Sequence, residues 1–128
     1  MKLLLDTHAF IWWDSQSSSL SSKARAACTD PANELFLSLA SVWEMQIKVQ
    51  LGKLQLRAPL ARIIEEQERT NRIGILQISI GHVFAVGKLP PLHRDPFDRL
   101  LVAQAIEEGA RLVSNDPLIS QYPVTVLW

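Results

Sequence analysis

KLLLDTHAFIWW, residues 2–13, joins a short apolar run to a helical pattern through a single acid. Leu3–Leu5 is typical of a buried strand, and the segment that follows Asp6 predicts a helix through Trp13. A strand that passes directly into a helix begins a β–α unit, and such units build parallel sheets with helices on their faces. This segment therefore predicts an α/β fold, provided that the rest of the chain repeats the alternation.

The remaining chain does repeat it. Four further apolar segments predict strands: Glu34–Ser38, Ile75–Ile78, Arg111–Ser114 and Val124–Leu127. The predicted helices are Ser21 or Ser22 to about Cys28, Ala40 to about Leu51 before Gly52, Pro59 to about Thr70, Ser79–Val86, Pro96–Glu108 before Gly109, and Pro117–Gln121. Leu89-Pro90-Pro91-Leu92 predicts a loop, because proline cannot continue a helix. We expect a three-layer α/β sandwich with a central, mostly parallel five-stranded sheet flanked by helices.

Composition sets the class of protein but not its ligand. The 128 residues predict a single domain, 1–128, and 13 Lys+Arg balance 13 Asp+Glu. A zero net charge does not predict the broadly basic surface of many nucleic-acid binders, so any RNA must be held by local cations. The single cysteine, Cys28, fits a reducing compartment, and no apolar run approaches the roughly 18 residues of a membrane span. We expect a soluble, cytoplasmic protein.

Five acids adjoin the ends of predicted strands. Asp6 closes the first strand, Asp116 follows the fourth, and Glu44 lies in the first turns of the helix after the second. Asp95 and Asp98 stand at the beginning of the strongest predicted helix. If the strands are parallel, all five positions lie at the carboxyl side of the sheet, where α/β proteins bind ligands. We therefore expect these carboxylates to converge on one crevice.

Converging carboxylates indicate a particular chemistry. Packed closely, they repel one another and raise one another's pKa. A divalent cation removes the repulsion, and oxygen ligands favour Mg²⁺ or Mn²⁺ over zinc. Such a cation lowers the pKa of a bound water and stabilises the charge that builds on a phosphodiester. The acids therefore favour metal-dependent hydrolysis of a phosphodiester bond.

Each acid also has a structural explanation. Asp95-Pro96 and Asp116-Pro117 have the pattern of a helix N-cap followed by proline, and Asp6 can cap the first helix. Glu44 has Lys48 one turn later, the favoured orientation for an exposed ion pair on a helix. Caps occur at both edges of a sheet and are as often Ser or Thr. The concentration of acids at one edge therefore favours a site.

Glu44 is the most informative acid because of the helix on which it lies. The apolar residues of that helix have the spacing of a largely buried one: Val42, Trp43, Met45, Ile47 and Val49. An acid among them is unusual for a helix that only packs. Glu44 is therefore included in the predicted metal site.

Four segments carry a resemblance to a known family: LLDTHAFIWW (4–13), SVWE (41–44), HRDPFDRLLVAQA (93–105) and VSND (113–116). In this order and spacing they resemble the PIN-domain ribonucleases, and more narrowly the VapC-type toxins of bacterial and archaeal toxin–antitoxin modules. The resemblance extends from the first strand to the last. No single motif is decisive, and the specificity lies in the order and spacing of all four.

The resemblance implies a metal-dependent endoribonuclease with a PIN-like fold. Its Mg²⁺, for which Mn²⁺ can substitute, would be bound by an acidic quartet: Asp6, Glu44, Asp98 and Asp116. Asp95 is an additional acid that can assist, and Thr7 and Ser114 match hydroxyl positions near the metal, the second of which is commonly threonine. The resemblance also implies a homodimer, and a small antitoxin that covers the active-site groove with its C-terminal segment and can form a hetero-oligomer with the toxin.

Several other residues lie close to the acids along the chain. The candidates for gripping RNA phosphates are Arg99, Arg94 and Lys48, with Lys53 and Arg57. Arg99 is the strongest of them because it follows Asp98. His8 and His93 flank acids, but a cation that activates water makes a histidine base unnecessary. Trp12 and Trp13 are expected to pack in the core or at a self-association surface with neighbouring leucines, rather than to stack on bases.

Three other functions fit parts of the pattern. An aspartate-nucleophile phosphatase needs an acid two residues after Asp6, where His8 stands. A Mg²⁺-binding phosphoacceptor domain needs an acidic pair there and a late lysine, where Ser114-Asn115-Asp116 stands. The complete acid quartet opposes a catalytically silent PIN-like binding module. A trapped aspartyl-phosphate would distinguish the phosphate-transfer functions from a nuclease, which leaves cut RNA.

Overall fold

The computed structural model describes all 128 residues, with strands and helices in the predicted alternation. The strands are β1 (Lys2–Leu5), β2 (Glu34–Ser38), β3 (Gly74–Leu76), β4 (Arg111–Val113) and β5 (Val126–Leu127). The helices are α1 (Thr7–Asp14), α2 (Ser22–Thr29), α3 (Leu39–Gln50), α4 (Leu60–Asn71), α5 (Ile80–Val86) and α6 (Pro96–Glu108), with a 3₁₀ turn at Ile119–Gln121. No helix combines the length and the apolar character needed to cross a membrane.

The five strands form one sheet in the order β3-β2-β1-β4-β5, and every pair is parallel. The sheet is therefore entirely parallel, where the sequence predicts a mostly parallel one. The chain adds strands on one side of β1 as far as β3, then begins again at β4 on the other side. The topological switch point accordingly lies between β1 and β4. Ligands of such sheets bind at the carboxyl ends of the strands near this point.

Alternate residues of β1 face the two sides of the sheet and create the three layers. Leu3 and Leu5 are fully buried in a cluster that includes Phe10 of α1. Leu4 points the other way, into a second cluster with Leu101 of α6. Each buried leucine side chain stabilises the fold by about 1.5–3 kcal/mol relative to an exposed one. The central strand is thereby fixed on both faces.

Helix caps bring the chain directly from strand to helix at the carboxyl edge of the sheet. The Asp6 side chain accepts a hydrogen bond from the backbone N–H of Ala9, and Ser38 accepts one from Ala40. Ser38 is itself the last residue of β2, so α3 begins without a loop. The side chains in the first turns of α1 and α3 are therefore held close to the sheet edge.

The predicted boundaries are correct for the main elements and differ at the sheet edges. β3 ends at Leu76 rather than Ile78, and β5 begins at Val126 rather than Val124. Short edge strands offer little unpaired backbone to other chains, which limits aggregation. The predicted helix Pro117–Gln121 is a single 3₁₀ turn that begins at Ile119.

Candidate metal centre

Asp6 lies at the switch point between β1 and β4. Its backbone N–H donates to the carbonyl of Val113, which ties the end of β1 to the end of β4. Its side chain is buried, and burial raises the pKa of the carboxyl group. The charge of Asp116 raises this pKa further, while hydrogen bonds from Ser114 and Ala9 lower it. Asp6 therefore caps α1 and also belongs to a group of interacting carboxylates.

Glu44 lies inside the protein on α3, with its residue surface only 5% exposed. Its Oε1 accepts a 2.6 Å hydrogen bond from the Thr7 hydroxyl, and its Oε2 forms a 2.7 Å ion pair with Lys48 Nζ. The Thr7 hydroxyl also lies 3.0 Å from that of Ser41. The hydrogen bond with Glu44 raises the pKa of Lys48. The i,i+4 pairing is confirmed, but the pair is not exposed as predicted, because Glu44 is buried. The ion pair offsets part of the cost of burying this carboxylate.

Asp95 and Asp98 begin α6 with different roles. Asp95 Oδ1 accepts hydrogen bonds from the backbone N–H groups of Phe97 (2.8 Å) and Asp98 (3.3 Å), so it is the N-cap. The Asp98 carboxyl group is left to face the other acids. Its pKa is raised to about 7, first by burial and then by the charges of Asp95, Glu44 and Asp6, with an opposing effect from His93. Asp98 is where the repulsion predicted from the sequence is concentrated.

His93 stands between two of the acids. Its Nε2 lies 3.1 Å from Asp116 Oδ2 and 3.1 Å from Asp98 Oδ2. Its Nδ1 accepts a hydrogen bond from the backbone N–H of Asp95, so the hydrogen of the neutral ring is on Nε2 and points at the carboxylates. Asp116 Oδ1 accepts from the backbone N–H of Leu118, which caps the turn after β4.

The donor set fits a divalent cation of the magnesium type. The nearest ligand atoms of His93, Asp98 and Asp116 lie within 4.8 Å of one another. Asp6 and Glu44 are close enough for their charges to raise the pKa of Asp98. Clustered carboxylate oxygens are the ligands of Mg²⁺ and Mn²⁺. His93 belongs to the same cluster, and in the tautomer with its hydrogen on Nε2 it donates to the carboxylates.

All five predicted acids and both predicted hydroxyls thus meet at one edge of the sheet. Ser114 is buried, and its Oγ accepts a hydrogen bond from the backbone N–H of Asp116. The contacts of His93 with two of the acids were not predicted from the sequence. The sequence indicated only that His93 lies just before Asp95. A lone histidine in a loop gives no spacing from which its partners could be predicted.

The cations predicted to bind RNA phosphates differ in whether their charge is free to do so. Arg99 does not face the acids, because its guanidinium donates to the carbonyls of Pro90 and Val86 and approaches the Tyr122 hydroxyl. Its structural role is to hold the loop before α6, which corrects its assignment to phosphate binding. Arg94 is exposed and forms no ion pair, and Lys48 is held by Glu44 beside Asp98.

Lys53 and Arg57, the two other cations predicted to bind phosphate, are both exposed. Arg57 pairs with Asp14 and Glu66, at the end of α1 and on α4. Its charge is therefore used in an ion-pair cluster away from the five acids.

The exposure of the aromatic residues corrects a second expectation. Trp43 is 62% exposed, and Val49 on the same helix is also exposed, so α3 is not largely buried. Trp12 and Trp13 are half-buried and pack against the larger core cluster, as the core interpretation predicts. Trp13 Nε1 also donates to Gln67, which fixes its ring inside the monomer. These two indoles are therefore poor candidates for a self-association surface.

Known proteins resemble this chain in family, sequence and fold. The family model described as PIN domain matches residues 3–124. Ribonuclease VapC22 of Mycobacterium tuberculosis (strain H37Rv) is 32% identical over 129 residues, which cover 97% of this chain and 97% of that protein.

Two solved structures share the fold. One is VapBC2 from Rickettsia felis bound to a DNA fragment from their promoter, with a TM-score of 0.73 and 19% identity over 98% of this chain and 97% of that one. The other is VapBC-1 from nontypeable Haemophilus influenzae, with a TM-score of 0.68 and 19% identity over 98% of this chain and 96% of that one. At this identity the two structures establish the three-layer fold alone.

Proposed function

Because the chain belongs to the PIN-domain family, we propose that it is a VapC-type endoribonuclease, the toxin of a toxin–antitoxin pair. The observation that carries the proposal is the convergence of Asp6, Glu44, Asp98 and Asp116 at the β1–β4 switch point. The match to Ribonuclease VapC22 along nearly the whole chain supports RNA as the substrate. The reaction is hydrolysis of an RNA phosphodiester bond.

The acidic quartet would hold Mg²⁺, with Mn²⁺ as a substitute. Asp6 follows β1, Asp116 follows β4 and Asp98 lies in the first turn of α6, while Glu44 supplies a carboxylate from α3. A divalent cation bound by such ligands lowers the pKa of a water and neutralises charge that develops on the phosphodiester. Asp95 is engaged as the cap of α6, so we assign it to positioning rather than to metal binding.

The neighbours of the quartet hold the carboxylates in place before any substrate arrives. Thr7 donates to one oxygen of Glu44 and Lys48 to the other, so the orientation of this side chain is fixed. His93 directs its Nε2–H at Asp98 and Asp116, and the Asp95 backbone holds the imidazole ring. Preorganised donors of this kind cost no rearrangement during the reaction. The exposed Arg94 is the cation best placed to meet an RNA phosphate.

The partners follow from the relatives and from the surface of the chain. The structural relatives are VapBC complexes, and we infer that a small antitoxin binds this chain and covers the acidic edge. We also infer that two copies associate, with hetero-oligomers forming on antitoxin binding. Cellular RNA is the substrate, so we place the action of the single domain in the cytoplasm.

The test is mapping of new RNA ends in cells after brief induction of the wild type, Asp6→Asn or Asp98→Asn. Each substitution removes a ligand charge with almost no change in volume. We expect discrete new ends with the wild type and a loss of at least about 100-fold with either variant. Glu65→Gln, which removes an exposed acid on α4, is the matched control and keeps full activity.

Two outcomes would contradict the proposal. Full RNA cleavage by Asp98→Asn would show that the acidic quartet is not needed for the reaction. No new ends with a folded wild type would favour a silent binding module or phosphate transfer, and an aspartyl-phosphate trapped on Asp6 would identify the latter.

A further inference from the structure

Trp43 and Phe97 form an aromatic pair beside the acidic cluster. Their ring centroids are 5.5 Å apart and the ring planes meet at 75°, an edge-to-face arrangement. Trp43 directly precedes Glu44 on α3, and Phe97 directly precedes Asp98 in the first turn of α6. The pair therefore joins the two helices that carry these acids, at the same edge of the sheet.

Trp43 does not serve the core of this chain. It belongs to neither core cluster, whereas the other three tryptophans, Trp12, Trp13 and Trp128, pack against the larger one. Trp43 is 62% exposed and its one aromatic partner is Phe97, so much of the indole is open to solvent. Phe97 is half-buried and holds the indole from the side. The Trp43 indole is therefore supported by Phe97 and presents aromatic surface to solvent.

The surroundings of the pair match those of a groove for single-stranded RNA. Lys48 lies close enough to Asp95 and Asp98 for their charges to raise its pKa, and Arg94 is exposed in the loop that leads to α6. Grooves that bind unpaired nucleic acid combine cations that follow the backbone with aromatic rings that stack on bases. A phosphodiester held at the carboxylates carries its flanking bases over the neighbouring surface, where the pair joins α3 to the first turn of α6.

We propose that Trp43, supported by Phe97, stacks on an unpaired base of the RNA next to the phosphodiester that is cleaved. The inference rests on the proposed nuclease function and narrows its substrate to RNA that is unpaired at this position, because a base inside a duplex has both faces covered. Stacking needs no hydrogen bonds to the base edge, so this contact selects single-stranded segments rather than one base.

The experiment measures RNA binding, so that it does not depend on knowing the cleavage sequence. The protein is the full chain with Asp6→Asn, which prevents cleavage, with and without Trp43→Ala. The probes are short fluorescein-labelled oligoadenosine and oligouridine, and an abasic ribose–phosphate chain of the same length, followed by fluorescence anisotropy in Mg²⁺ buffer. We expect Trp43→Ala to weaken binding of both oligonucleotides by about 5- to 150-fold and to leave the abasic chain unaffected.

Two further variants make the result specific to stacking. Trp43→Phe keeps an aromatic face and should recover most of the lost affinity. Leu51→Ala removes an apolar side chain that is also 62% exposed, at the opposite end of α3, and should bind as the parent does.

The inference is overturned if Trp43→Ala binds the oligonucleotides as tightly as the parent does. It is likewise overturned if the substitution weakens binding of the abasic chain as much as binding of the oligonucleotides. It is also overturned if the variant changes only the oligomeric state in sedimentation, since the indole then lies between protein chains. Cleavage of cellular RNA by the wild type, measured separately, distinguishes these results from failure of the nuclease proposal.

Discussion

The Asp98 carboxyl group carries part of the electrostatic cost of the acidic cluster. It is mostly buried and faces Asp95, Glu44 and Asp6, and these effects together raise its pKa to about 7. Asp98 in the cation-free protein therefore keeps its proton to a higher pH than an ordinary aspartate does. A site that gathers charge for function is expected to reduce stability in this way.

This cost predicts that Asp98→Asn stabilises the cation-free protein at high pH. Because the folded pKa lies above the ordinary value near 4, the folded state binds a proton that the unfolded chain has lost, and stability falls as pH rises from about 4 through 7. We expect the substitution to raise the free energy of unfolding by about 1–3 kcal/mol at pH 8 and by much less at pH 4.5. Urea unfolding in EDTA measures this, with Glu65→Gln as control, and equal effects at both pH values would refute the explanation.

His93 is predicted to position the carboxylates through its Nε2–H. Removing an N–H that orients metal-binding carboxylates typically weakens metal affinity by about 10- to 100-fold. We expect this loss for His93→Ala, measured by Mn²⁺ binding in electron paramagnetic resonance. His93→Gln, which can place an N–H near the same point, should recover part of it. If His93→Gln and His93→Ala lose the same Mn²⁺ affinity, the Nε2–H of His93 does not position the carboxylates.

The residue scale also shows what sequence could and could not reveal about the site. Asp6, Glu44 and Asp116 were predictable because each follows the carboxyl end of a strand, and a parallel sheet brings those ends together. Asp95 and Asp98 were predictable because they begin the helix that leads into β4, at the same edge of the sheet. His93 and Arg99 were not, because their roles depend on contacts across the fold. Arg99 follows an acid in sequence, yet one residue along a helix turns a side chain by about 100°, toward the loop that it holds.

At the scale of the element, the beginning of α6 combines a cap with the site. Asp95 satisfies two backbone N–H groups of the first turn, and its charge raises the pKa of Asp98. The cap fixes the direction of the helix and therefore the position of the Asp98 side chain. Capping and function are here two properties of one residue, rather than alternatives.

Two substitutions of Asp95 separate the cap from the charge. Asp95→Asn keeps an oxygen that can accept the two hydrogen bonds, so we expect little loss of stability and RNA cleavage within a few-fold of wild type. Asp95→Ala removes the cap and should lower the free energy of unfolding by about 0.5–2 kcal/mol. Thermal unfolding and RNA-end mapping on both variants check this. A loss of cleavage in Asp95→Asn as large as in Asp98→Asn would make Asp95 a metal ligand.

Helix α3 shows the limit of periodicity at this scale. Its apolar spacing predicted a buried helix, and Met45 is fully buried, but Trp43 and Val49 are exposed. A hydrophobic pattern identifies apolar faces without saying which of them meets a neighbour in the same chain. The exposed face became visible only when the positions of α1 and α6 on either side of α3 were known.

In the whole molecule, α5 is the helix that leaves three large apolar residues more than half exposed. Ile80, Val83 and Phe84 are 73%, 51% and 67% exposed, and their spacing places them on one face. His82 and Ala85 on the opposite side are buried, where α5 packs against α6. The self-association surface expected at Trp12 and Trp13 is therefore better assigned to α5, because those indoles are already packed.

This assignment predicts that α5 mediates the proposed homodimer. Phe84→Glu places a charge in an apolar contact and should shift the protein from dimer to monomer in sedimentation velocity, with unchanged circular dichroism. Lys88→Gln, at an exposed polar position just after the helix, is the control and should remain dimeric. A wild type that is monomeric at tens of micromolar, or a Phe84→Glu variant that stays dimeric, would exclude this face as the contact between copies. Because Phe84 lies next to none of the five acids in sequence, loss of the dimer without loss of cleavage would further show that each copy holds a complete site.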